Sequence, residues 1–130
     1  MSRKAAATFV MVLVLAMAGL ASADPAPIEP QLRGLWQGEL RSGKDKALRI
    51  ILKVWREGPN LLARVYSPDQ DDREYIVEFI RLKERRIELE LQLISAVYAG
   101  TMNGDGSEIS GTWTQRGIQA PLVFRRVSSP

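Results

Sequence analysis

The segment Arg85–Ile94, RRIELELQLI, places Ile87, Leu89, Leu91 and Leu93 at every second position, with Glu88, Glu90 and Gln92 between them. Side chains leave a strand alternately from its two faces, so a two-residue period predicts one dry face and one wet face. The same period recurs in KALRIILKVWRE, 46–57, where Leu48, Ile50, Leu52 and Val54 share a face and Arg49, Lys53 and Trp55 point the other way. A chain built of such half-buried strands must fold its dry faces onto one another.

Turn chemistry separates the strands. Gly58 and Pro59 punctuate EGPN before NLLARVYS, 60–67. AVYAGTMN, 96–103, runs into NGDG, whose Asn-Gly and Asp-Gly pairs supply the positive φ of tight hairpins. SEISGTWTQ, 107–115, returns, RGIQ turns again, and APLVFRRV, 120–127, completes the series. Between them, REYIVEFIRLKERR, 73–86, mixes helix-favouring charge with Tyr75, Val77 and Phe79 on one strand face. It is read as strand, turn and strand, with LKERR as the connection.

The result is an all-β chain of about eight strands joined by short turns, a single antiparallel up-and-down meander. Pairing the first strand with the last removes two exposed edges, so a closed or nearly closed small β-barrel is expected, with a two-sheet β-sandwich as the alternative.

The N-terminal MSRKAAATFVMVLVLAMAGLASA carries Arg3 and Lys4, an apolar run and Ala21–Ser22–Ala23, and predicts a secretory signal peptide cleaved after Ala23. Its apolar run is shorter than the roughly 20 residues of a membrane span. The mature chain is then secreted or periplasmic, with no integral span. DPAPIEPQL, 24–32, has three prolines and is expected as an extended arm, leaving 33–127 as the barrel domain and 128–130 as a tail.

The chain has no Cys and no His. Disulfides and the usual His-based catalytic arrangements are therefore excluded. With Arg3 and Lys4 removed, 16 basic residues face 15 acidic ones, and such a balance gives no reason to expect nucleic-acid binding. Asp69, Asp71 and Asp72 in SPDQDD lack the Gly and distal Glu of a calcium loop, so a solvated turn is favoured and no metal or cofactor is expected. Glu88 and Glu90 form a carboxylate pair, the basis of a minor enzyme reading. On a strand's polar face they are simply its wet side.

Five short motifs stand in order: GLWQGEL, SPDQ, YAGTMNGDG, ISGTWTQRG and PLVFRR. Together they resemble the small β-domain that precedes the catalytic domain of a group of exported bacterial α/β-hydrolases, over residues 33–126. No G-x-S-x-G nucleophile elbow occurs in this sequence, so the resemblance implies an accessory β-domain and not the hydrolase activity. Gly34-x-Trp36 with Arg125 or Arg126 also resembles calycin-like barrels of the lipocalin and streptavidin kinds. In lipocalins a basic side chain from a late strand packs across such a Trp at the closed end.

The candidate ligand contacts are Trp36, Tyr98, Trp113, Arg125 and Arg126, the competing reading of both Trp residues being core plugs. Ile51 and Trp55, apolar on the wet face of their strand, form a candidate interaction patch. The expected function is an exported, non-enzymatic binding module for a small apolar or amphipathic ligand. The alternative is an accessory module for a separate exported hydrolase or envelope protein.

Overall fold

The computed structural model describes residues 27–128. The expected signal peptide, residues 24–26 of the arm and the last two residues of the tail lie outside them. One short helix, α1 (Glu29–Leu32), precedes nine strands: β1 (Gly34–Ser42), β2 (Lys46–Glu57), β3 (Asn60–Tyr66), β4 (Tyr75–Ile76), β5 (Phe79–Lys83), β6 (Arg86–Leu91), β7 (Ala96–Met102), β8 (Glu108–Gln115) and β9 (Ile118–Val127). A 3₁₀ turn, Gln92–Ile94, joins β6 to β7. Among the described residues no helix is long and apolar enough to cross a membrane.

All nine strands form one antiparallel sheet in the order β4-β3-β2-β1-β9-β8-β7-β6-β5. The expected pairing of first and last strands is present, with Leu35, Trp36 and Gln37 opposite Val127, Arg126 and Arg125. That pairing lies mid-sheet, so the two edges are β4 and β5, neighbours in sequence. Val77 N–H donates to the Ala63 carbonyl of β3 at 3.1 Å, and Glu78 N–H to the Glu90 carbonyl of β6 at 3.0 Å. Consecutive residues thus change partner strand, and the sheet curls into a nearly closed barrel rather than a sandwich.

This change of partner corrects the reading of 73–86. Tyr75 is half-buried and Val77 buried, but Phe79 is 44% exposed, with the Arg81 guanidinium over its ring. Alternation within one strand would have carried Phe79 inward. The chain leaves one ladder and joins another at Glu78, and the side-chain phase slips there. Leu93 departs likewise. The strand ends at Leu91, the 3₁₀ turn breaks the period, and Leu93 is 69% exposed while Ile94 packs on the core.

The dry faces fill the interior. Leu52, Ile87, Leu89, Leu91, Met102, Ile109 and Leu122 are almost wholly enclosed, each contributing about 1.5–3 kcal/mol of transfer free energy. Tyr98 crosses the Gly100–Gly111 pair of β7 and β8, and its ring meets Phe124 edge-on at 5.0 Å. A Cβ at Gly111 would stand 2.3 Å from the Ala99 carbonyl oxygen and 2.8 Å from the Tyr98 ring. These glycines make room for the phenol and for close strand approach.

Replacing Gly111 with Ala drives a methyl into backbone that cannot yield. The expected loss is about 2–3 kcal/mol, the upper part of the overpacking range, read as a lowered urea midpoint at unchanged slope.

Candidate functional site

The barrel has two unlike ends. At one, Ile28 and Leu32 of the α1 region are buried in the core. The segment expected as an extended arm therefore turns helical at Glu29–Leu32 and plugs the barrel. Pro30 does not oppose this, since proline is tolerated in a helix's first turn. Trp36 Nε1 donates to the Leu32 carbonyl at 2.8 Å, and the Arg126 guanidinium lies 4.3 Å from the centre of the indole. Arg126 also donates to the carbonyls of Arg33 (2.7 Å), Gln31 and Gly106. Gly34, at φ 131°, leaves the space in which Arg126 sits, for a Cβ there would be 2.7 Å from Nη1. Arg85 reaches Gln31 Oε1 at 2.8 Å and the Asn103 carbonyl, and Arg56 pairs with Glu29. This end is sealed.

Four of the five candidate ligand residues are committed here or nearby. Trp36 and Tyr98 are fully enclosed. The Tyr98 hydroxyl donates to the Leu122 carbonyl at 2.9 Å, with the Ile109 carbonyl at 3.2 Å. Arg126 is spent on the α1 region. Arg125 points outward to Glu108 at 3.0 Å and borders a groove of about 650 Å³ over the outer face of β1 and β9. The proposed patch does not form a shared surface: Ile51 is 0% exposed, and Trp55 is half-buried with its indole N–H on Glu57.

Trp113 differs in place rather than in burial. It is 4% exposed and belongs to the core, but it lies toward the opposite, open end, reached by the turns 43–45, 67–74, 92–95 and 116–117. Here a cavity of about 140 Å³ opens between Leu48, Ile50, Val65, Tyr75, Ile94 and Trp113. Beside it, a cleft of about 450 Å³ separates the end of β1 from the start of β9, between Arg41, Gly43, Arg116, Ile118 and Ala120. Leu40, Trp113 and Gln115 border both. The cavity alone is smaller than the roughly 300–1,000 Å³ of ordinary ligand sites, whereas the cleft falls within that range. Trp113 Nε1 donates to Gln115 Oε1 at 3.2 Å, which fixes both side chains at the shared wall. Sequence reasoning missed Leu40, Arg41, Leu48, Ile94, Arg116 and Ile118. The available signal was positional: all lie beside the turns at one end of the meander.

Charged groups elsewhere are locally satisfied. Arg49 donates from its backbone and side chain to Asp69, which holds the Asp69 carboxyl below its usual range and raises the Arg49 pKa. Hydrogen bonds from Ser107 hold Asp105 low in the same way. Glu88 and Glu90 both meet Arg81 on the outer surface, at 3.1 and 3.2 Å. Among the described residues no cluster of acidic side chains is placed to hold a metal ion. Burial pushes the Tyr98 phenol well above its ordinary value.

No family model matches the chain, and no curated protein matches it. Among solved structures, a redesigned β-barrel superposes with a TM-score of 0.56 at 12% identity, over 81% of this chain and 99% of that one. At that identity the likeness speaks to the fold alone.

Two measurements test these assignments. Arg126→Ala is expected to cost about 1–3 kcal/mol, through lost charge-assisted hydrogen bonds and the indole contact. Arg125→Ala, which removes only an exposed pair, should stay within about 0.5 kcal/mol of the parent in the same denaturation assay. Tyr98→Phe should cost about 0.5–1.5 kcal/mol at neutral pH. The raised folded-state pKa of Tyr98 gives stability that is full below the unfolded value, about 10, and lost as pH rises beyond it. The gap between parent and Tyr98→Phe should therefore narrow above that pH.

Proposed function

We propose that this protein is an exported, non-enzymatic binding module that receives a small apolar or amphipathic ligand at the open mouth of its barrel. The observation that carries the reading is the mouth itself. A cavity lined by Leu48, Ile50, Val65 and Ile94 beside Tyr66, Gln70, Tyr75 and Gln115 meets a wider cleft at Trp113, whereas Trp36, Tyr98 and Phe124 fill the interior toward the sealed end. Small barrels hold either side chains or one small ligand. This one divides its interior by depth, filled at the sealed end and open at the other.

Further features support the reading. Arg126 stacked on Trp36 above a plugging α1 is the closed-end arrangement implied by the lipocalin-like resemblance. The basic, apolar and A-x-A series of the first 23 residues supports export. The absence of His and Cys from the sequence supports a binding role over catalysis. Tyr66, Tyr75 and Gln70 give the mouth a mixed character suited to a ligand with one polar end.

The test is titration with the neutral dye N-phenyl-1-naphthylamine. Uptake should raise dye emission and alter tryptophan fluorescence through Trp113. Leu48→Arg, at the half-buried rim, should weaken uptake by about tenfold or more, equivalent to about 1.4 kcal/mol, with the melting temperature little changed. No uptake by well-folded parent protein would remove the reading.

A further inference from the structure

Resting on the ligand reading above, we propose that the mouth selects a single-chain amphiphile with an anionic head, carboxylate or phosphate, held at Arg41 and Arg116 with its tail in the cavity. The charge pattern of the lining carries this. No Asp or Glu borders either the cavity or the cleft, while Arg41 and Arg116 both border the cleft. Elsewhere Arg49, Arg56, Arg81 and Arg125 each hold a carboxylate, and Arg85 and Arg126 donate to backbone carbonyls, while Arg33, Arg64, Arg73 and Arg86 on other parts of the surface form no ion pair among the described residues. Among the described residues, Arg41 and Arg116 form no such ion pair. Arg41 stands between the cleft and the outer groove and borders both, whereas Glu39, two residues before it, borders only the outer groove.

Two amides of the lining add donors. Gln115 Oε1 accepts from the Trp113 indole, which leaves the Gln115 amide nitrogen as a donor at the shared wall. Gln119 adds another amide to the cleft. The backbone beneath Arg116 is anchored, its N–H donating to the Ser95 carbonyl at 3.1 Å. Guanidinium groups recognise carboxylate and phosphate through paired N–H donors, a geometry a neutral head cannot exploit.

Depth orders the ligand. Arg41 and Arg116 are exposed, so a charged head there keeps much of its water. Past Leu48 at the rim, Ile50, Val65 and Ile94 offer the tail an apolar side of a cavity that Tyr66, Gln70 and Tyr75 complete. A volume of about 140 Å³ admits only a short stretch of alkyl chain, with the rest along Trp113 and Ile118 in the cleft.

The experiment is a calorimetric titration at neutral pH with decanoate, decyl phosphate, decanol and decylammonium, on the parent and on the Arg41→Gln, Arg116→Gln double variant. Both anions should bind the parent about tenfold or more tighter than decanol, with decylammonium weakest. The double variant should lose that preference yet bind decanol within about twofold of the parent. Equal binding of anions and decanol by the parent would overturn the charge assignment and leave the ligand reading standing. A preference that survives in the double variant would also overturn it. Failure of every amphiphile, together with failure of dye uptake, would overturn both. Cosedimentation with phosphatidylglycerol vesicles that decanoate does not displace would replace the proposal with a membrane-surface role.

Discussion

The guanidinium of Arg126 is where the barrel is held together. It sits on the Trp36 indole and donates to the carbonyls of Gln31, Arg33 and Gly106. It thereby ties β9 to β1, to the turn between β7 and β8, and to the chain that plugs the base. The carbonyls at the end of α1 have no partner within so short a helix. Trp36 and Arg126 supply those partners, so the plug forms only in the presence of the barrel it closes. A domain without disulfides gains its cross-link here from a planar cation and an indole.

Much of this fold is written in local pattern. The alternation in β2 and β6 and the hairpin chemistry at Asn103–Gly106 are direct readings of side-chain period and turn residues, and the pairing of the first strand with the last follows from the exposed edges a meander would otherwise leave. Three features escaped because tertiary context decided them. The proline-rich segment became helical since Ile28 and Leu32 had a core to enter. Phe79 turned outward because the ladder changes at Glu78. Ile51, apolar on a wet face, is fully enclosed, which strand periodicity alone cannot foresee.

The candidate site was less legible for a related reason. The conspicuous residues, Trp36, Tyr98 and Arg126, are conspicuous because they build the closed end, where bulk and geometric exactness matter most. The mouth is made of ordinary Leu, Ile, Gln and Arg side chains whose common feature is their end of the barrel. Only Trp113 was both prominent in sequence and placed at the opening. Architecture therefore announces itself through rare residues, and the ligand-facing surface through position.

The placement of β1 beside β9 has a consequence for how the chain reaches this structure. Each of the other adjacent strand pairs in the sheet joins strands consecutive in sequence, so two meanders, β1–β4 and β5–β9, assemble from local contacts. Joining them across β1 and β9 closes a loop of about 90 residues, and such loop closure is the slow, entropy-limited part of β-protein folding. Until it occurs, each meander presents a dry face to solvent. Pairing β9 with β1 and seating Trp36 under Arg126 require the same long-range closure, so the contact that seals the base is also the one that joins the two meanders.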